Sequence, residues 1–294
     1  MQVLAEKGLC LPLSDLVRSI STGGLPSGSV CITFDDGYSD NLRHAKPILE
    51  EFSLPATFFL TSGYLQGGND FWWDALERPF FRREQIPSTL EIEIERARLK
   101  FDFAGDTEYR DSAFKEHRQW RAWDPPLSKR HLAYHELWQV LHRLPSSTRE
   151  QLLDTIQDWA GSGSNGVGSA CRPLSSQEVR QLASGPGIEI GGHSVTHSSL
   201  PRLDREAQRR EIVENKRRLE ELLGRPLQHF SYPHGEHCDE TVSLLKQAGY
   251  EAACTTQAFA VERSVDLFRL PRICVEDWNG DEFAQRLKHR FVED

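Results

Sequence analysis

A strand–turn–helix–strand rhythm that starts, breaks off and starts again constrains this chain more than any other feature. Ser29-Val30-Cys31-Ile32-Thr33-Phe34 is a short apolar run rich in β-branched residues, Asp35-Asp36-Gly37 interrupts it, Asn41 to Phe52 reads as a helix, and Ala56–Leu60 reads as a second strand. Strands joined by a crossover helix pair in parallel, so an α/β fold is expected. The rhythm stops at Leu65. Leu90, Ile92 and Ile94 then alternate with glutamates, and Leu99, Phe101 and Phe103 alternate after a short polar break, which is the pattern of a two-stranded hairpin. Helical patterns follow at His131–Leu144 and Arg149–Trp159, and the Gly/Ser-rich stretch Gly161–Ser169 has the composition of a linker. The β/α rhythm resumes at Ser175, where Ser175 and Glu178 fit a capping box. Strands are expected at Ile188–Ile190, His229–Tyr232, Glu251–Thr255 and through Leu267–Val275, with helices at Asp204–Leu223 (Gly224 as its stop) and Asp281–Phe291. The expected organisation is residues 1–64 and 173–294 as one α/β unit, interrupted by an inserted α+β subdomain over 65–172 made of a hairpin plus helices.

Composition narrows the class of partner. With 38% hydrophobic and 27% charged residues the chain has the balance of a soluble globular protein. A formal net charge of −9 argues against non-specific binding to nucleic acid or to anionic membranes. No stretch approaches the roughly 18 apolar residues of a membrane span, and the N-terminal sequence lacks the basic region and long apolar core of a signal peptide. The six cysteines form no Cys-x-x-Cys pair, so no cysteine zinc site is read and a reduced, cytoplasmic protein is expected. Whether a segment precedes the opening helix stays open, as does the oligomeric state.

Three motifs sit at or just after strand ends, where parallel α/β sheets and barrels place their active sites. The first is Thr33-Phe34-Asp35-Asp36-Gly37. Adjacent carboxylates repel unless a cation or hydrogen bond separates their roles, although Asp-Asp-Gly alone is also a common turn sequence. The second is His193-Ser194-Val195-Thr196-His197, preceded by Gly191-Gly192. In a helical or turn-like segment its i, i+4 spacing brings both imidazoles to one face, where they can share a metal ion. The third, Phe230-Ser231-Tyr232-Pro233-His234-Gly235, reads as a strand running into a tight turn whose backbone amides can face a developing oxyanion.

Together and in this order, the three motifs resemble those of the polysaccharide deacetylase family, the NodB-homology domain of carbohydrate esterase family four. Thr-Phe-Asp-Asp-Gly and His-Ser-x-x-His match the family's first two motifs in full, and Phe-Ser-Tyr-Pro-x-Gly looks like a variant of its third. The resemblance implies a distorted (β/α) barrel with fewer than eight strands. It implies Asp35 as catalytic base and Asp36, His193 and His197 as ligands of a divalent metal, zinc first, with cobalt or nickel as alternatives. One carboxylate and two imidazoles suit such ions and leave positions open for water and substrate. It further implies an oxyanion contact from the backbone N–H of His234, and an acetylated glycan or oligosaccharide as substrate.

The sequence departs from the family at several points. Where many members carry an arginine that braces the catalytic aspartate, this chain has Ser231; Arg272 is the candidate for that task, with Arg269 second. Val275-Glu276-Asp277-Trp278 partly resembles the fourth motif, whose tryptophan shapes an acetyl pocket. Leu287-Lys288-His289 fits the letters of the last motif but lies in a polar helical pattern with no strand before it, so a chance match is the reading and His234 or His237 becomes the candidate proton donor. Trp72 and Trp73 either stack on sugar rings or anchor the core of the inserted subdomain, which Trp120, Trp123, Trp138 and Trp159 are expected to fill. The leading expectation is hydrolytic removal of N-acetyl groups from amino sugars of a bacterial polysaccharide or oligosaccharide. An O-acetyl esterase, a small-molecule amidohydrolase on the same site, or a non-catalytic carbohydrate-binding module are the alternatives.

Overall fold

The structure is a computed structural model that describes residues 1–8, 10–67, 69–94, 97–110, 115, 117, 119–121, 124–161, 172–262 and 264–291. The 162–169 part of the expected linker and Trp123 lie outside the described residues. The chain divides into two compact units, Met1–Gly68 with Ala170–Asp294, and Asn69–Ser169.

The first unit holds helices α1 (Gln2–Lys7) and α2 (Leu13–Thr22), strand β1 (Ile32–Phe34), helix α3 (Lys46–Glu51) and strand β2 (Ala56–Leu60). Its later half, whose elements are numbered after those of the second unit, supplies α7 (Ser176–Ala183), β5 (Ile188–Gly192), α8 (Arg205–Leu223), β6 (His229–Ser231), α9 (Asp239–Gln247), β7 (Ala252–Cys254) and α10 (Gly280–Phe291). The five strands form one parallel sheet in the order β1-β2-β5-β6-β7, curled as a half-barrel, the distorted (β/α) barrel expected. β2 is buried along its whole length. Because successive strand side chains alternate, Phe58 and Leu60 join a core with Leu182, Ile212, Leu219 and Leu245 from α7, α8 and α9, whereas Phe59 joins Leu13, Leu16 and Val17 of α2. Each such fully buried side chain contributes about 1.5–3 kcal/mol. α2 is also held by polar contacts, since Glu189 on β5 accepts from the Ser14 hydroxyl and from Thr57 Oγ1 at 3.0 Å.

Ser175 opens α7 with both halves of the capping box, its hydroxyl on the Glu178 N–H and the Glu178 carboxylate on the Ser175 N–H. Elsewhere the local structure departs from expectation. The helix expected from Asn41 begins as a π-helical turn over Asn41–Ala45, because Pro47 has no N–H to donate to the preceding turn. The strand expected from Ser29 is confined to Ile32–Phe34, with Val30 meeting Cys10 in an isolated bridge. The strand expected through Leu267–Val275 is a 3₁₀ turn at Leu267–Arg269 and a single bridge from Leu270 to Cys254. Asp266 caps that turn by accepting from the Phe268 N–H at 3.0 Å, and Pro271 interrupts the ladder directly after Leu270.

The second unit holds α4 (Trp72–Phe81), an antiparallel hairpin of β3 (Thr89–Ile94) and β4 (Ala97–Asp102), α5 (Lys129–Leu141) and α6 (Ser146–Trp159). Its own core gathers Trp72, Leu76, Phe80, Ile92, Phe103 and Leu137, with Trp73, Trp120, Trp138 and Trp159 packed against it. Trp72 is 2% exposed, which leaves it no open face for a sugar. Among the described residues no helix is long and apolar enough to cross a membrane.

Candidate active site

The three motifs emerge at the carboxyl ends of β1, β5 and β6, as the parallel topology requires. β1 ends at Phe34, and the next two residues carry the carboxylates. Asp36 turns the chain with φ 71°, its carbonyl accepting from the Thr61 N–H at 3.1 Å. Gly37 follows at φ 92°, where an added Cβ would lie 2.9 Å from Leu60 Cδ2.

The second motif is not helical. It is a loop in which Ser194 (φ 62°) and His197 (φ 54°) take left-handed backbone conformations, closed by the His197 N–H on Ser194 Oγ at 3.0 Å. That geometry brings the rings together, with centroids 4.8 Å apart. His193 Nε2 lies 3.3 Å and His197 Nε2 3.2 Å from the same Asp36 oxygen. His193 Nδ1 is 2.7 Å from the Ser231 carbonyl. A carbonyl only accepts, so Nδ1 carries the hydrogen and Nε2 presents its lone pair. One ligand atom from each of Asp36, His193 and His197 lies within 4.8 Å of the others.

The electrostatics fit a cation at this point. Burial would raise the Asp36 carboxyl, but hydrogen bonds and charge from the two histidines hold it far below the usual carboxylate range. Burial would lower His193, but Asp35 and Asp36 outweigh it and draw positive charge onto the ring. The donor set, one carboxylate oxygen and two Nε2 atoms, is one that can hold a divalent ion.

Asp35 faces a different partner. Arg272 Nη1 donates to its Oδ1 and Nη2 to its Oδ2, both at 2.7 Å, a bidentate pair. Nη2 also donates to Ser231 Oγ at 2.8 Å, and Ser231 Oγ donates to Asp35 Oδ2 at 3.2 Å. Thr33 Oγ1 and the Thr255 carbonyl take further guanidinium hydrogens at 3.2 and 2.9 Å. Burial pushes the Asp35 carboxyl upward, yet Arg272 and His193 more than offset it and keep the group below its ordinary value. Arg269 is elsewhere, paired with Asp239 and Asp266.

The third motif leaves β6 through the turn Pro233–Gly235, with His234 at φ 59°. The His234 ring stands 4.5 Å from that of His197. Gly235 is fixed as glycine, since its φ is 73° and a Cβ would fall 2.1 Å from Thr256 Oγ1. His237 instead stacks on Tyr232 at 4.8 Å. Trp278 packs under Arg286, with the guanidinium carbon 4.4 Å from a ring centroid. Leu287 and Lys288 lie on α10, and the His289 side chain is outside the described residues.

Sequence reasoning missed what holds the loops. Among the described residues five non-glycine positions have positive φ, and four of them, Asp36, Ser194, His197 and His234, belong to the three motifs. Each costs about 1–2 kcal/mol and needs support. Asn215 on α8 donates to the Leu60 carbonyl at 3.0 Å and to the Ser194 carbonyl, and Glu211 accepts from Val195 and Thr196. Gly63 presses on the same loop, where a Cβ would sit 2.4 Å from the Val195 carbonyl oxygen. One signal was present in the sequence: Asn215 falls in the buried stripe Gln208, Ile212, Asn215, Leu219, where an amide has no place without a partner.

The polysaccharide deacetylase family model matches residues 22–82 and 154–253, more than half of the chain. No curated protein sequence matches. Among solved structures the chain is similar to the Streptococcus pyogenes deacetylase PplD in complex with acetate, at 17% identity and a TM-score of 0.58, covering 97% of this chain and 83% of that one. It is similar to a polysaccharide deacetylase from Bacillus cereus at 15% identity and a TM-score of 0.54, covering 98% of this chain and 59% of the other. A de-N-acetylase from Aggregatibacter actinomycetemcomitans matches at 12% identity and a TM-score of 0.51, covering 97% of this chain and 86% of that one. At these identities the likeness carries the fold, and the family match carries the lineage: the chain belongs to the polysaccharide deacetylase family.

Proposed function

We propose that this deacetylase hydrolyses N-acetyl groups on amino sugars of a bacterial polysaccharide or oligosaccharide, with Asp36, His193 and His197 holding a divalent metal, zinc first, and Asp35 as general base. The observation that carries the reading is the pair of histidine Nε2 atoms converging within 3.3 Å on one Asp36 oxygen, beside a second carboxylate that Arg272 holds apart. When bound, a divalent cation there supplies Lewis acidity toward water and the acetyl carbonyl. Asp35, kept ionised by Arg272, takes the proton of the attacking water. Arg272 and Ser231 fix the direction of its carboxylate, the task that the family's third-motif arginine performs elsewhere. The backbone N–H of His234 faces the developing oxyanion, and the His234 imidazole, next to His197, protonates the leaving amine as the C–N bond breaks. Acetate and a free amino sugar result.

The test compares wild type with Asp35→Asn on acetylated chito-oligosaccharides and on acetylxylan, with metal content measured in both. The expected outcome is turnover of the chito-oligosaccharide alone, a fall in kcat of about 10²–10⁴ in the variant, and equal metal content. Full turnover by Asp35→Asn would remove Asp35 from its role. Activity on acetylxylan alone would reassign the enzyme to O-acetyl esters, and no turnover of either substrate would favour a carbohydrate-binding module.

A further inference from the structure

α8 reads as a solvated, charge-rich helix, yet two of its residues one turn apart face the metal-site loop. The Glu211 carboxylate accepts the Val195 N–H at 2.9 Å and the Thr196 N–H at 2.8 Å, both on Oε2, and the Thr196 hydroxyl at 2.8 Å on Oε1. Asn215, fully buried, donates to the Leu60 and Ser194 carbonyls. The Leu60 carbonyl, at the end of β2, also accepts the His193 N–H at 3.1 Å, and the Ser194 carbonyl also accepts the N–H of Ser62, just after β2, at 3.1 Å. The loop between the two histidines thus has its amides bound by one α8 residue and its carbonyl side bound by the other. It also contains the two left-handed residues Ser194 and His197, which no regular secondary structure stabilises. These bonds of Glu211 and Asn215 go to backbone groups and to the Thr196 hydroxyl.

We infer that Glu211 is a positioning residue for the metal centre: it holds the strained His193–His197 loop so that the two Nε2 atoms keep their spacing before metal arrives, with Asn215 as its counterpart on the carbonyl side. The inference rests on the metal-binding role proposed for the two histidines. A ligand pair set in advance binds without the cost of ordering the loop, and groups that orient metal ligands typically change affinity by about 10–100-fold when removed.

The experiment titrates metal-stripped protein with Co²⁺ by calorimetry and records the melting temperature of the metal-free forms. Glu211→Ala is expected to bind Co²⁺ about 10–100-fold more weakly than wild type. Glu211→Gln, whose single carbonyl oxygen can still accept both backbone N–H groups, is expected to recover affinity to within about threefold of wild type. Glu214→Ala, which on the same helix removes only the partner of Arg217 and Arg218, is expected to match wild type. Should Glu211→Ala not fold, Glu211→Asp, one methylene too short to reach the loop, takes its place with the same expected loss. Wild-type affinity in Glu211→Ala or Glu211→Asp, or an equal loss in Glu214→Ala, overturns the positioning role while leaving the metal centre standing. A wild-type protein that binds no Co²⁺ overturns the metal centre, and this inference with it.

Discussion

Arg130 in the inserted unit and Arg272 in the half-barrel are both cations taken largely out of water, and they are satisfied in opposite ways. Arg130, with no exposed surface, gives its guanidinium hydrogens to backbone carbonyls, among them Phe80 and Arg83 at 2.9 Å and Asp106 at 3.0 Å. Those carbonyls belong to the end of α4, the turn after it and the segment following β4, so one side chain closes the ends of three pieces of chain. Burial pulls its pKa below the ordinary arginine value with no carboxylate in bidentate contact to restore it. Arg272 spends the same fork on a carboxylate, and its own protonation is reinforced: burial lowers it, but Asp35 raises it further. The first arrangement leaves nothing free to react and serves stability. The second keeps an ionised carboxylate in a fixed direction, within electrostatic reach of the His193 imidazole. The Arg130 fork is consumed by carbonyls of its own unit, whereas the Arg272 fork converges with Ser231 on one carboxylate.

The largest expected effect tests the first half of that contrast. Arg130→Ala leaves several buried carbonyls without donors, and unfolding of the purified protein by urea is expected to show a loss of about 3–5 kcal/mol. A loss under about 1 kcal/mol would mean that the carbonyls find water and that the cluster is not structural. Next comes Arg272→Ala, expected to lower kcat by about 10²-fold, or about 2.7 kcal/mol in the barrier, while leaving metal content intact. Unchanged turnover would show that Asp35 needs no brace. If metal content falls together with activity, Arg272 supports the whole site and not the base alone.

The smallest effect sharpens a third polar device, the α7 cap. Hydrogen bonds from Arg172 and, against the opposing effect of burial, from Ser175 hold the Glu178 carboxyl at about 2 where 4.5 is the ordinary value. A carboxyl lowered on folding stabilises the native state above its unfolded pKa and ceases to do so as pH falls through its folded one. Glu178→Gln is therefore expected to be less stable than wild type by about 1 kcal/mol near neutral pH. The gap narrows between about pH 4.5 and pH 2, as followed by melting temperature. A gap that stays constant over that range would rule out the ionised cap as its source.

How much of this was legible beforehand follows from which physics is local. Strand patterns at Ala56–Leu60 and His229–Tyr232, the Ser175 cap and the Gly224 stop depend on neighbours a few residues away, and the sequence displays them. The three motifs also display which side chains meet, because parallel strands deliver their carboxyl ends to one edge of the sheet. The backbone path within the motifs was not legible. The i, i+4 spacing of His193 and His197 suggested a helical or turn-like segment; the path taken is a loop through a left-handed Ser194 and His197, closed locally by Ser194 Oγ and braced by groups distant in sequence: Glu211 and Asn215 on α8, and Gly63 after β2. Pro271, plain in the sequence, ended the last expected strand for want of an N–H, and Pro47 widened the first expected helix into a π turn. Ser231 in place of an arginine read as a gap, and the structure places Arg272 on the carboxylate that the gap would have left unpaired.

The most direct test of the account is the zinc stoichiometry of metal-stripped protein after titration, in wild type and in Asp36→Ala, each checked for native secondary structure by circular dichroism. The account predicts one equivalent of zinc per wild-type chain and none retained by the variant at the same free zinc. A folded wild-type protein that takes up no zinc, or an Asp36→Ala variant that still binds a full equivalent, would contradict it.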